Sequence, residues 1–203
     1  MIEAEKRKSI IDLVKREVVP AMGCTEPIAV ALCVAKATEV LGNTPEKINV
    51  YLSANMLKNA MGVGIPGTGM VGLPIAVALG ALVGKSKYQL EVLRNVTPEA
   101  VEHGKAYIAE NRVSVDLKNG ECDKLYIEAN VETCGDMAKV VISGGHTNFV
   151  HIEKNGEVIL SAQTGNSSTC GVAEVGLTLR DVYEFAATTP LNEIEFINDA
   201  ARL

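Results

Sequence analysis

A cysteine ahead of an apolar run, a lysine set among asparagines and a histidine behind a glycine pair are the residues here whose types and spacing could do chemistry. Cys24 stands in Pro20-Ala-Met-Gly-Cys-Thr-Glu-Pro27, on a glycine hinge directly before Thr25, with a mostly apolar run from Ile28 to Ala37 behind it. Thr25 reads as a helix N-cap, and Glu26 and Pro27 suit a first helical turn, so the thiol is expected where a helix begins. Free N–H groups and the positive end of the helix dipole there favour the thiolate, the form that binds a soft metal or attacks an electrophile. A small buried residue at a tight helix entry has the same sequence appearance, because free cysteine packs well.

The stretch Asn55-Met-Leu-Lys-Asn-Ala-Met61, if helical, brings Asn55, Lys58 and Asn59 to one face by their three- and four-residue spacing. Two amides beside an ammonium can hold a small carboxylate, although a solvated helix face carrying a lysine reads the same way. Gly62 to Gly72 contains a GxGxxG pattern at Gly62, Gly64 and Gly67. Pro66 lies inside it, a helical pattern rather than a strand precedes it and no GK[ST] follows, so dinucleotide and P-loop readings are poor. A backbone passing close to a ligand or a neighbouring segment at Gly64 to Gly67 is the better account. His146 and Thr147 follow Gly144-Gly145 at a strand entrance, where side chains can be aimed at a ligand. His146 could be a general base, a donor to a carboxylate, or a turn residue in water. His103 reads as a surface residue, His151 as part of a strand and Cys33 as core packing.

Taken together, these stretches resemble the L-cysteine desulfidase family, relatives of the α-subunit of iron–sulfur L-serine dehydratases. The resemblance is carried by Pro20 to Pro27, Asn55-Met-Leu-Lys-Asn59, Gly62-Val-Gly-Ile-Pro-Gly67 and Gly145-His-Thr147, and it spans most of the 203 residues. It implies α,β-elimination of L-cysteine to pyruvate, ammonia and sulfide at an oxygen-sensitive [4Fe-4S] cluster whose open iron takes the substrate sulfur. Cys24 matches the first cluster ligand by motif. Asn55, Lys58, Asn59, Gly64, Gly67 and Thr147 then fall to substrate binding, and His146 and Lys58 to catalysis.

Family members run to roughly twice this length, and further cluster cysteines lie in their second half. The chain therefore resembles an amino-terminal portion, expected to hold no cluster and to be inactive alone; Cys134 and Cys170 are a poor substitute set. The other half, in the same or a second chain, is the implied partner, and an apolar surface left where it docks would favour a homodimer. L-serine as substrate, a PLP-dependent elimination and a non-catalytic amino-acid-binding subunit stay open, although the Gly62 to Gly72 run lacks a phosphate-cradling layout.

Stepping from these residues to their scaffold, 47% apolar and 22% charged residues in 203 suit one folded domain, or one with an appended segment. A net charge of −6, no basic block, three Phe and no Trp argue against nucleic acid as a partner. The charged N-terminus has no signal-peptide core, and no run of about 18 apolar residues appears, so a cytoplasmic protein is expected. Five widely spaced cysteines, an odd number, read as reduced thiols.

Periodicity predicts helices over 2–19, 25–41, 55–61 and 73–83, with a strand over 47–53. Thr97 and Pro98 begin a further helix that runs to about Asn111. From Arg112 five short strand-like runs follow, divided by Asn119-Gly120, Cys134-Gly135-Asp136, Gly144-Gly145 and Asn155-Gly156, and an antiparallel meander is the simplest topology. The expected fold is α+β, with one domain over 1–161, helical to 111 and sheet from 112. A linker and helices over 162–203 lead on to the absent half.

Overall fold

A computed structural model of the chain describes residues 2–162 and 176–200. Among them the fold is α+β: seven α-helices, placed at both ends of the chain and between its strands, and a mainly antiparallel sheet. The described residues between Ala21 and Gly165 form one compact unit, and those of Met1–Pro20 and Asn166–Leu203 form another.

The larger unit is a sheet covered by helices on one face. Its strands run in the order β4 (Val113–Leu117), β1 (Lys47–Leu52), β5 (Tyr126–Glu132), β6 (Met137–Ser143), β7 (Phe149–Lys154), β8 (Glu157–Ser161). Alternation sends Ile48, Val50 and Leu52 of β1, and Ile127, Ala129 and Val131 of β5, to the helical face, where none is exposed. Register aligns Val50, Ala129, Val140 and Ile152 in one row across four strands. Helix α2 (Thr25–Leu41) packs on β5 and β6 and against α4 (Leu73–Leu82), which in turn packs on α5 (Pro98–Ala109). A Cβ at Gly80 of α4 would stand 2.6 Å from the Ala31 carbonyl oxygen, so the two helices approach this closely only over a glycine.

The expected meander holds from β5 to β8 and fails at β4. β1 lies between β4 and β5, parallel to the first and antiparallel to the second, so Asn119-Gly120 does not turn a hairpin. Two causes combine. β1 is apolar on its buried side and needs ladder partners along both edges, and a parallel pair requires a long crossover. Helix α3 (Ala54–Ala60), α4 and α5 supply it between β1 and β4.

Local signals fix the helix starts. Thr97 accepts a hydrogen bond from the Ala100 N–H, with Pro98 in the first turn of α5. Ser53 accepts from the Met56 N–H at the start of α3 and donates to the Lys124 carbonyl at 2.6 Å. These contacts hold α3 against the β4–β5 connection.

The sheet face away from the helices carries Glu128, only 5% exposed. Lys118 Nζ and Tyr126 Oη donate to it at 2.6 Å, Asn130 Nδ2 donates at 3.1 Å and Lys139 Nζ lies at 3.3 Å. Burial pushes this carboxyl up, but the donors outweigh it and hold the pKa at about 2. At the sheet edge Val158, Ile159 and Leu160 of β8 are all exposed.

In the smaller unit α1 (Ala4–Glu17) is tied to α6 (Leu179–Thr188) by Lys6–Asp181 at 2.7 Å and to the 3-10 turn Leu191–Glu193, which precedes α7 (Ile197–Ala200), by Arg7–Glu193 at 3.2 Å. Thr178 and Asp181 cap α6 reciprocally. The boundary drawn over 1–161 thus differs from the structure, which groups α1 with the C-terminal helices. The apolar stripe of α1 is readable in sequence; its partner is not. Among the helices expected over 162–203, the stretch from Leu191, whose pattern reads as helical to Leu203, begins instead as a 3-10 turn, Leu191–Glu193, followed by α7. Most of the expected linker, and Cys170, lie outside the described residues. Among the described residues no helix is long and apolar enough to cross a membrane.

Candidate functional site at the mouth of α2

Cys24 is the N-cap of α2 and Thr25 its first helical residue, so the cap lies one position earlier than the sequence suggests. Its backbone is extended, its side chain caps nothing, and Sγ donates instead to Glu26 Oε2 at 2.9 Å. Thr25 Oγ1 lies 3.3 Å from the same oxygen. Oε1 of Glu26 receives Asn59 Nδ2 of α3 at 3.5 Å. Glu26 therefore joins the helix mouth to the α3 face.

This carboxylate reverses the expected ionisation. The hydrogen bond to Glu26, followed by partial burial, pushes the Cys24 thiol up. The backbone N–H groups of Glu26 and Thr25 pull it down, as a helix mouth should, but by less. Cys24 is thus held as the thiol. The same hydrogen bond, with the Glu26 backbone N–H and the charge of His146, keeps Glu26 below the usual carboxylate range against the pull of burial. His146 lies in the turn between β6 and β7.

Asn55, Lys58 and Asn59 are exposed on one face of α3, while Met56 and Ala60 are buried on the other. The three-and-four spacing therefore falls on a helix and sets the trio on one exposed face. His146 is half-buried and Thr147 exposed in the β6–β7 turn, where Asn148 Nδ2 donates to the Ser143 carbonyl at 2.8 Å.

The glycine segment behaves differently from expectation. It forms a small hairpin of β2 (Gly64–Ile65) and β3 (Met70–Val71). A Cβ at Gly64 or Gly67 would meet nothing within 4 Å, so no neighbouring segment approaches them. Gly67 answers instead to a φ of 76° in the turn. The close approach belongs to Gly23, at φ 74°, where a Cβ would fall 2.7 Å from Pro66 Cγ. Through that contact the hairpin abuts the α2 mouth.

The site thus gathers Cys24, Glu26, Asn59 and Pro66, and the charge of His146 acts on Glu26. Glu26 is the member of this gathered set missed in the sequence, where it read only as a helix starter. Its signal was present, since a carboxylate two residues past a cysteine shares the first helical turn with it.

The cysteines among the described residues do not form a three-thiol cluster site. Cys33 is fully buried, its Sγ 3.4 Å from the Val140 carbonyl, and desolvation pushes its thiol far up. Cys122 and Cys134 are exposed. Among the described residues no three His, Cys, Asp or Glu side chains are grouped to hold a metal ion. Cys24 can furnish one soft ligand.

Fold and site together define an α+β protein with a thiol–carboxylate pair at a helix mouth. The comparisons with known proteins point to one set of relatives. The chain is 63% identical over all 203 residues to a UPF0597 protein of Bacteroides fragilis, covering 47% of it, and to one of Bacteroides thetaiotaomicron with the same coverage. It is 48% identical over 197 residues to a UPF0597 protein of Photobacterium profundum, which takes in 95% of this chain and 46% of that protein. The chain spans about half the length of the curated relatives it matches. No protein-family model matches it, and no solved structure does.

Proposed function

We propose that this chain is the amino-terminal half of a cytoplasmic iron–sulfur lyase that eliminates the β-substituent of L-cysteine, or of L-serine in a dehydratase-like variant. The observation that carries the reading is convergence. Residues 20–27, 55–67 and 145–147 bear the resemblance to L-cysteine desulfidases; the first two meet at the α2 mouth through the Gly23–Pro66 approach and the Asn59–Glu26 contact, and the charge of His146 acts on Glu26 there.

The overall reaction takes L-cysteine and water to pyruvate, ammonia and hydrogen sulfide, so one α-proton and the β-sulfur must leave the substrate. In the complete protein a [4Fe-4S] cluster would supply Lewis acidity towards the leaving sulfur. This half would offer that cluster one ligand, Cys24, and the other thiols would come from the half beyond it. The remaining roles fall to side chains. Lys58, with Asn55 and Asn59, holds the substrate carboxylate, and its positive charge makes the α-proton easier to remove. Thr147 and the Gly64–Gly67 turn line the ligand, and His146 takes the proton from the α-carbon.

The deciding experiment uses the full-length protein prepared without oxygen. Pyruvate formation from L-cysteine and L-serine should fall to background in Cys24→Ala and by about a hundredfold or more in His146→Ala. Unchanged turnover in Cys24→Ala would overturn the reading. The 203-residue chain alone should bind no cubane after anaerobic reconstitution, and about four irons per chain would contradict that.

A further inference from the structure

We propose that Glu26 receives the α-ammonium group of the substrate and so makes the site select amino acids over the corresponding acids without nitrogen. The inference rests on the reading of the α2 mouth as an amino-acid site. A free amino acid carries a cation and an anion on neighbouring carbons, and a site that reads both needs an acceptor-only group facing a cluster of donors. Lys58, Asn55 and Asn59 are the donors, all on the exposed face of α3. Glu26 is the carboxylate within the gathered set, and Asn59 ties it to that face at 3.5 Å.

The coordination of Glu26 leaves room for a ligand. A carboxylate offers about four acceptor positions. Here Oε2 takes the Cys24 thiol and the Thr25 hydroxyl, whereas Oε1 has the single long contact from Asn59. An ammonium placed at Oε1 lies between α3, which would hold the substrate carboxylate, and Cys24, two residues from Glu26 and on its other oxygen. Bound in that way, the β-substituent of the amino acid is directed towards the thiol end of the site. The preference is thus built into the freer oxygen of one side chain, Oε1, whereas Oε2 takes the Cys24 sulfur only while that thiol keeps its proton.

The test compares L-cysteine with 3-mercaptopropionate, which differs only by lacking the ammonium, on the anaerobic full-length protein. In the wild type, L-cysteine should bind at least tenfold more tightly than 3-mercaptopropionate inhibits. Glu26→Gln should raise KM for L-cysteine about tenfold to hundredfold and leave inhibition by 3-mercaptopropionate nearly unchanged, which collapses the ratio. A Glu26→Gln variant that weakens both ligands equally, or neither, overturns the assignment while the lyase reading stands. If the wild type forms no pyruvate, the lyase reading fails, and calorimetry with the two compounds then decides on Glu26. A preference for L-cysteine that disappears in Glu26→Gln supports the assignment; a preference that persists, or no binding by either compound, defeats it. Should Glu26→Gln not fold, Glu26→Asp keeps the charge but withdraws it by one methylene. That variant must also lower the ratio, and an unchanged ratio is equally fatal.

Discussion

Cys24 and Cys33 lie on the same helix, about two and a half turns apart, and differ in almost everything else. Cys24 is half-exposed at the mouth, hydrogen-bonded to a carboxylate; Cys33 is sealed against the sheet with only backbone carbonyls near its sulfur. Both thiols are pushed up, the first chiefly by the Glu26 hydrogen bond and the second by desolvation. The lesson is that a raised thiol can mean two things. At the mouth a neighbouring residue imposes it and can be exchanged; in the middle the whole core imposes it.

The strongest way to break this contrast is alkylation of the native chain with mapping by mass spectrometry. Cys33 should react only through unfolding, at least about a thousandfold more slowly than Cys24. Comparable rates would show that the core around α2 opens readily.

Packing sharpens the same comparison. Gly80→Ala drives a methyl into the Ala31 carbonyl, two residues from Cys33, and should cost about 1–3 kcal/mol in chemical denaturation. Gly23→Ala at the mouth meets the Pro66 ring and a positive φ, and should cost about 1–2 kcal/mol while disturbing activity more than stability.

A second carboxylate extends the test away from the mouth. Glu128 has a pKa of about 2 in the fold against an ordinary 4.5, so its network stabilises fully above pH 4.5 and loses that contribution as pH falls towards 2. Lys118→Met removes the strongest of its donors. Stability near neutrality should fall by about 1–3 kcal/mol, and the acid limb, followed by urea midpoints, should move to higher pH. An unmoved limb would mean that Lys118 contributes nothing to the network.

The smallest expected effect returns to Cys24. Removing the carboxylate in Glu26→Gln lets the thiol pKa fall, so labelling of Cys24 at a pH near 8 should accelerate a few-fold while Cys33 stays inert.

How far the sequence could lead follows from the range of each interaction. The starts of α2 and α5 and the span of β4 were readable because caps, prolines and two-residue alternation act within a few positions. The exposed trio of α3 was readable for the same reason. The place of β1 was not, since its ladder partners begin at Val113 and Tyr126 and nothing local names them. The neighbouring-segment half of the Gly64 and Gly67 reading failed because a glycine needed for a positive φ and one needed for close packing are spelled alike. Glu26 was overlooked because its role depends on Asn59, which only the fold brings near.

The burial of β1 between two later strands also orders events on the ribosome. When synthesis has reached residue 112, the strand at 47–52 has emerged with an apolar face and neither ladder partner, and its closing contacts wait for about eighty further residues of translation after it. Nascent chains stopped in that window should engage chaperones or precipitate, and those released after β5 has emerged should not.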